Sequence, residues 1–253
     1  MHYIAIGDTD KGIIKKTNQD SLLIKHGKSE KGEILLAIIC DGMGGLEKGE
    51  LASATVIREF TNWFDNNLPY ELENIDLNVI AGKWELMCKD LNLKILDYGK
   101  LHNIKLGTTF TGILFVDNKY VSLHVGDSRL YYIGKNLSQL TKDHTFVERE
   151  IEKGTLSKEQ AKKDKRRNLL LQCIGASTKI EPQILIGQVK KGAYMLCSDG
   201  FRHEISDEEI FDSLNPRNLN EPEDMQNKVR LLINQVKSRG ERDNISAILV
   251  KAE

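Results

Sequence analysis

The sequence has few prolines, no CxxC pair and no long apolar run. Four prolines in 253 residues are too few to build a proline-rich linker. No segment approaches the roughly 20 consecutive apolar residues of a membrane span, and the first residues lack the basic stretch and the apolar core of a signal peptide. We therefore expect no membrane association and a cytoplasmic location.

The charge balance also lacks a bias of either sign. The 36 Lys and Arg residues nearly match the 37 Asp and Glu residues, which leaves a net charge of −1. A near-neutral chain has no overall field to recruit nucleic acid or an anionic membrane. The four cysteines, Cys40, Cys88, Cys173 and Cys197, are scattered through apolar or amphipathic runs. We expect them to be reduced thiols in the core.

Three aspartates that are far apart in the sequence stand at the ends of apolar runs. Asp41 and Asp199 each follow such a run and precede a glycine, and Asp243 lies just before the apolar run 245–250. Each of these sites alone is an ordinary turn signal. Three carboxylates in the same setting, without a Cys/His cluster, favour one oxygen-rich site for Mg²⁺ or Mn²⁺.

Strand and helix patterns alternate along the chain. The segments 109–116, 120–125 and 130–133 predict an antiparallel meander, and three amphipathic patterns predict long helices. Each helix has one apolar stripe and can cover one sheet face, which fits two stacked sheets with helices outside. The stripes consist of Ala52, Val56, Phe60, Trp63 and Phe64; of Ile80, Trp84, Met87, Leu91, Ile95 and Tyr98; and of Met225, Val229, Leu232 and Val236.

Eight short motifs follow one another in an order that identifies a family. They are Gly7–Gly12 with Thr17–Ser21, Asp41–Gly45, Gly107–Thr109, Val125–Arg129, Leu140–Thr145, Cys173–Gly175, Leu196–Phe201 and Asp243–Ser246. Over nearly its whole length the chain resembles the metal-dependent serine/threonine protein phosphatases of the PPM family, also called type 2C, in their single-domain bacterial form. The resemblance implies an α+β fold, a four-layer α/β/β/α sandwich with two central antiparallel sheets, in one domain over residues 1–253 with a flap at about 145–167.

The resemblance also implies a reaction and its cofactors. Two divalent cations, Mn²⁺ or Mg²⁺, would activate a bridging water that attacks the phosphorus of phosphoserine or phosphothreonine in line with the leaving oxygen. Asp41 is expected to bridge the cations and Gly42 to offer its carbonyl oxygen. Asp199 and Asp243 would complete the shell of the first cation.

Further residues receive roles from the same resemblance. Asp127 resembles the ligand of a third, weaker cation beside the flap, although a tight turn after the strand 120–125 explains it equally well. Asp20 resembles an acid that orients metal-bound water, and Gln19 and Asn244 are expected around the metal ligands. Ser198 lacks the Gly-x-Ser-x-Gly elbow of a nucleophilic serine, so we do not expect it to act as one.

Three positions depart from the family pattern. Lys15 stands where an Arg usually grips the substrate phosphate, and it keeps the charge without the bidentate fork. Gln19 stands where many members have Glu, which removes one charge near the second cation. Met43, shared with bacterial members, replaces a His proposed to protonate the leaving group in many eukaryotic members.

The expected partners are phosphorylated proteins, substrates of a cognate serine/threonine kinase, and the expected state is a monomer that binds neither nucleic acid nor membrane. Two other functions stay open. A catalytically silent relative that binds phosphoproteins would accommodate Lys15 and Gln19, and a nuclease or small-molecule phosphohydrolase would use the same two-metal chemistry. The basic run 162–167 of the flap could recruit acidic substrates, or it could be a solvated helix end.

Overall fold

The computed structural model describes residues 1–30, 32–43 and 48–253, and its centre consists of β-strands. The strands are β1 (Tyr3–Asp10), β2 (Ser21–Ser29), β3 (Gly32–Cys40), β4 (Phe110–Val116), β5 (Lys119–Val125), β6 (Arg129–Ile133), β7 (Leu137–Gln139), β8 (Gln183–Gln188), β9 (Gly192–Cys197) and β10 (Ile245–Ala252). The helices are α1 (Gly49–Asn66), α2 (Leu68–Glu71), α3 (Leu77–His102), α4 (Phe146–Glu152), α5 (Lys158–Lys163), α6 (Asp199–Arg202), α7 (Asp207–Leu214) and α8 (Pro222–Ser238), with a 3₁₀ turn at Pro216–Asn218.

Within the described residues the strands form two antiparallel sheets of five. One sheet has the order β1-β10-β9-β6-β7, and the other has the order β2-β3-β4-β5-β8. Strand β3 shows how they stack: Leu35, Ala37 and Ile39 belong to the apolar layer between the sheets. The alternate residues Leu36 and Ile38 belong to the layer under the helices. Both faces of β3 are buried, which explains its continuous apolar sequence.

Helices cover the outer face of each sheet. Helices α1 and α3 pack on the sheet that contains β3, where Phe60, Trp63 and Trp84 meet Phe110 in a buried aromatic group. Helix α8 packs on the other sheet through the predicted stripe from Met225 to Val236. The three predicted helices and the α/β/β/α sandwich are therefore confirmed.

The predicted meander is correct for its first two strands and wrong for the third. Strands β4 and β5 form a hairpin that places Val116 opposite Lys119. Strand β6 instead belongs to the opposite sheet, where it pairs with β7 and β9. The chain crosses over at Gly126, whose φ of +113° lies in a region that residues with a side chain rarely adopt. Alternation of polar and apolar residues predicts a strand but does not show which sheet it joins.

The charged flap segment contains two short helices. Thr145 caps α4 by accepting a hydrogen bond from the Glu148 amide at 3.2 Å, and Ser157 and Gln160 form a reciprocal capping box on α5. Lys162 and Lys163 occupy the last turn of α5, where positive charge is favourable. The basic run therefore has the features of a solvated helix end.

The cysteine prediction is also confirmed. All four cysteines are buried and free, and burial raises the pKa of the Cys197 thiol to about 12. Thiols in such surroundings are protonated and unreactive at neutral pH. In the described ranges, no helix combines the length and the apolar character that a membrane span requires.

Candidate active site

The predicted site residues converge at one end of the sandwich. Asp41 directly follows β3, Asp199 begins α6 just after β9, and Asp243 lies two residues before β10. Strands β9 and β10 are antiparallel neighbours with Cys197 opposite Ala247, so the end of one strand lies beside the start of the other. The carboxylates of Asp199 and Asp243 both act electrostatically on Asp41. The structure thus brings the three sequence-predicted acids together.

The backbone of Asp41 is fixed by the Gly107–Thr109 motif. The Asp41 amide donates to Oγ1 of Thr109 at 2.9 Å, and the Asp41 carbonyl accepts hydrogen bonds from the Thr109 amide and the Thr108 hydroxyl, both at 2.9 Å. Both threonines are buried. This motif, quoted for the resemblance without a role, therefore holds Asp41 in position.

Gly42 is required by close packing of three backbone segments. A Cβ atom at Gly42 would lie 2.5 Å from the carbonyl oxygen of Gln19 and 2.6 Å from the carbonyl carbon of Gly49. The Gly42 amide donates to that same Gln19 oxygen at 3.2 Å. Any side chain at position 42 would displace the loop that carries Gln19. Gly44 and Gly45 of the same motif lie outside the described residues.

The acids around Asp41 have little compensating positive charge. Burial raises the pKa of Asp41 well above its usual value, and the neighbouring carboxylates of Asp20 and Asp199 raise it further. Burial likewise raises the pKa of Asp20 to about 7, with Asp199 and Asp243 adding to the effect. A divalent cation would relieve this repulsion.

The oxygen atoms of these acids suit a hard cation, but their arrangement is not that of a formed metal site. Oδ1 of Asp20 is buried and has no hydrogen-bond partner among the described residues, and the other donors are carboxylate oxygens that Mg²⁺ and Mn²⁺ prefer. Nevertheless, no three His, Cys, Asp or Glu side chains of residues 1–30, 32–43 and 48–253 lie close enough together to hold a metal ion. The residues therefore fit a cation in type and location.

Lys15 contributes one reason for this arrangement. Its Nζ atom lies 2.7 Å from Oδ1 of Asp243, and both side chains are partly exposed. The lysine predicted to bind phosphate thus pairs with a predicted metal ligand. An ammonium group at this oxygen competes with a cation for the same lone pairs.

Asn244 organises the loop between β1 and β2. Its Oδ1 accepts the Gln19 amide at 2.9 Å, and its Nδ2 donates to the carbonyl oxygens of Lys11 and Thr17 at 2.9 and 3.2 Å. The Gln19 side chain donates to Glu50 at 3.2 Å. Glu50 was not predicted from the sequence; its only signal is a position just after the glycine-rich stretch that follows Asp41.

His203 and Glu241 form a second set of contacts that sequence reasoning missed. His203 Nδ1 lies 3.3 Å from Glu241 Oε2, and its Nε2 lies 3.7 Å from Asp199 Oδ2. Glu241 Oε1 accepts the backbone amides of Arg242 and Asp243 at 2.6 and 2.8 Å. The imidazole therefore links Asp199 to the loop that carries Asp243. In the sequence, the only sign of these two residues is that they lie close to predicted metal ligands. His203 follows the Asp199 motif, and Glu241 precedes Asp243 by two residues.

Asp127 lies at the other side of the site with different neighbours. Its side chain is buried, and Nη2 of Arg202 lies 3.2 Å from its carbonyl oxygen and 3.7 Å from its Oδ2. The same Nη2 is 3.5 Å from Oδ2 of Asp143. Arg129 donates to that carboxylate in a bidentate pair, from Nε to Oδ1 at 2.9 Å and from Nη2 to Oδ2 at 2.8 Å. Burial, followed by Asp199, raises the pKa of Asp127 to about 7, and Arg202 opposes this shift.

Ser198, for which no catalytic role was expected, and His144 of the Leu140–Thr145 motif both make structural contacts. Ser198 is fully buried and its hydroxyl accepts the Ser246 amide at 3.0 Å. The His144 amide donates to the Gly126 carbonyl at 2.7 Å, and its Nδ1 accepts the Gly126 amide at 3.2 Å. His144 therefore fixes the turn in front of Asp127 and connects it to the start of the flap.

Comparison with known proteins gives consistent results. The sequence profile of the family Protein phosphatase 2C matches residues 14–249. The serine/threonine protein phosphatase PstP of Mycobacterium tuberculosis is 32% identical over 81% of this chain, and the chain spans only 38% of that protein's length. The serine/threonine phosphatase stp of Listeria welshimeri is 30% identical, with 96% of this chain and 93% of the relative aligned.

One solved structure also bears on the metal prediction. The catalytic domain of serine/threonine protein phosphatase PstP, in complex with two manganese ions, superimposes with a TM-score of 0.78 at 27% identity. The superposition covers 98% of this chain and 97% of that domain.

Proposed function

Because the chain belongs to the protein phosphatase 2C family, we propose that it is a metal-dependent enzyme that hydrolyses phosphoserine and phosphothreonine in proteins. The observation that carries the proposal is the group of four acids at Asp41, Asp20, Asp199 and Asp243, in which burial, followed by the charges of Asp20 and Asp199, raises the pKa of Asp41. Asp20 is buried, whereas Asp199 and Asp243 are partly exposed, and holding several carboxylates together costs free energy. A cation-binding role accounts for them.

The proposed cofactors are two divalent cations, Mn²⁺ or Mg²⁺, held by Asp41, Gly42, Asp199 and Asp243. The two manganese ions in the PstP catalytic domain support this number. When bound, the cations would supply Lewis acidity that lowers the pKa of a water and neutralises charge at phosphorus. Thr108 and Thr109 hold Asp41, and Asn244 holds the loop of Gln19 and Lys15, so this chain's own residues fix the positions of the oxygen donors.

A water activated in this way would attack phosphorus in line with the seryl or threonyl oxygen, which would leave and take up a proton from solvent water. Asp20 has one buried oxygen free of hydrogen bonds among the described residues, which suits a group that accepts a hydrogen bond from a water beside the metal ligands and orients it. Lys15 contacts the substrate phosphate once it leaves Asp243, and a phosphate oxygen offers it an equally strong acceptor. We propose phosphorylated proteins of a cognate serine/threonine kinase as the substrates.

The test is release of inorganic phosphate from a phosphothreonine peptide, measured with Mn²⁺, Mg²⁺ or EDTA. We compare the wild type with Asp41→Asn and with Asp97→Asn, a control at an exposed aspartate on α3 that pairs with Lys100. We expect metal-dependent release from the wild type and the control, and none above background from Asp41→Asn.

The same experiment separates the remaining alternatives. A folded wild type that binds Mn²⁺ but releases no phosphate would contradict the proposal and favour a silent phosphoprotein-binding relative. Faster release from a nucleotide, or cleavage of single-stranded DNA at a higher rate than of the phosphopeptide, would instead favour a different phosphohydrolase.

A further inference from the structure

Arg202 is a buried cation beside the predicted third metal site. Its side chain is 16% exposed, and it ends the short helix α6 that Asp199 begins. One of its terminal nitrogens, Nη2, reaches the carbonyl oxygen of Asp127 at 3.2 Å and the carboxylate of Asp127 at 3.7 Å. The guanidinium therefore contacts two of the three oxygen atoms that Asp127 could offer to a cation, its carbonyl oxygen and Oδ2.

The two acids beside Arg202 are matched in number by two arginines. Two arginines, Arg129 and Arg202, face two aspartates, Asp127 and Asp143, at distances between 2.8 and 3.7 Å. A divalent cation at Asp127 would be placed next to the Arg202 guanidinium, in surroundings where repulsion between charges is only weakly screened. The surroundings of Asp127 therefore do not fit a third cation.

We propose that Arg202 takes the place of a third metal ion in this protein. The inference rests on the proposed function, since it concerns how many cations the enzyme uses. The guanidinium supplies a permanent positive charge at Asp127, so the enzyme binds two cations and no third one. Because α6 carries both Asp199 and Arg202, the contact with Asp127 also makes Arg202 a positioning residue for Asp199.

The number of Mn²⁺ ions bound per chain tests the proposal. Calorimetric titration of the metal-free protein with Mn²⁺ gives this number without any measurement of activity. We expect two ions for the wild type and two ions for Asp127→Asn. Arg202→Met removes the charge with similar length, and we expect it to bind a third, weaker ion that the double variant Asp127→Asn/Arg202→Met does not bind.

Two further variants serve as controls. Arg202→Lys keeps the positive charge, and we expect it to bind two ions. Arg230→Met removes an arginine that pairs with Asp8 at an exposed position, and we expect it to bind two ions as well. The thermal unfolding midpoint of each metal-free variant shows whether it is folded. If Arg202→Met does not fold, Asp127→Asn still tests the proposal, because it changes only one heavy atom of the side chain.

Three results would overturn the proposal. The wild type could bind a third Mn²⁺ that Asp127→Asn does not bind, or Asp127→Asn could bind one Mn²⁺ where the wild type binds two. A folded Arg202→Met that still binds only two Mn²⁺ ions would also contradict it. Failure of the proposed function would give different results. If the wild type binds no Mn²⁺, or if Asp41→Asn binds Mn²⁺ as tightly as the wild type, the proposed metal site at Asp41 is wrong.

Discussion

Two groups of carboxylates lie side by side in this protein, and the positive charges around them differ. Around Asp41 the acids Asp20, Asp199 and Asp243 repel one another, and Lys15 is a partly exposed partner of only one of them. Around Asp127 the acids are matched by Arg129 and Arg202. A motif position alone therefore does not identify a metal ligand, because the positive partner also matters: Asp127 faces a largely buried arginine, whereas Asp243 faces a partly exposed lysine.

Breaking the balanced group has the largest expected effect on stability. Asp143→Asn leaves Arg129 and Arg202 without their shared carboxylate, and loss of one partner from a buried ion pair costs about 3–5 kcal/mol. Chemical denaturation of the metal-free protein measures this cost. Asp65→Asn, which removes a pair with Lys25 at the surface, should change the free energy of unfolding by less than about 1 kcal/mol. Equal costs for the two variants would contradict the distinction.

Breaking the unbalanced group should reduce activity with little loss of stability. Asp199→Asn removes one proposed metal ligand, and we expect kcat/KM to fall by at least about 100-fold, because even residues behind the ligands contribute about 10–100-fold. The metal-free variant should unfold at the same or a higher temperature, since one repelling carboxylate is gone. Assays at saturating Mn²⁺ together with thermal unfolding check both statements; intact turnover would exclude Asp199 as a ligand.

The link between Asp199 and the Asp243 loop should have a smaller effect. His203→Ala removes the imidazole between Asp199 and Glu241, and we expect Mn²⁺ affinity to fall about tenfold. His203→Gln keeps one amide donor and should recover part of the loss. Calorimetric titration measures these affinities, with His102→Gln at the exposed end of α3 as the control. An affinity within about twofold of wild type for His203→Ala would refute the link.

The smallest expected effect is a pH dependence of the metal-free protein. The pKa of Asp20 is raised to about 7 in the folded state, above its ordinary value near 4. The folded state therefore binds a proton more readily than the unfolded state between pH 4 and 7, so stability rises as the pH falls through this window. We expect the unfolding temperature to rise by at least about 2 °C from pH 8 to pH 5. A rise that is equally large in Asp20→Asn would show that other groups cause it.

The sequence was sufficient to predict the fold and the location of the proposed metal ligands. Asp41, Asp199 and Asp243 could be found because each stands at the end of an apolar run, and strand ends that meet at one edge bring such residues together. The stripes of α1, α3 and α8 were equally clear, because helical periodicity depends on burial alone.

Other features could not be read from the sequence because they depend on contacts between distant segments. Arg202 meets Asp127 across 75 residues, and Lys15 meets Asp243 across most of the chain. No spacing rule connects such pairs. The position of β6 in the sheet of β1 and β10 could not be predicted for the same reason. Its pairing with β9 is decided by tertiary contacts and not by the local sequence pattern.

The pairing of β1 with β10 has a consequence for the order in which the protein becomes complete during synthesis. All strands of the sheet β2-β3-β4-β5-β8 have been made by residue 188, whereas residues 3–10 pair with residues 245–252. Contacts between segments so far apart in sequence form late, because a long loop must close first. The nascent chain therefore has the strand before Asp41 in its first sheet well before β10 brings Asp243 to Asp199, and the proposed metal site cannot be complete until residues 243–252 have been made.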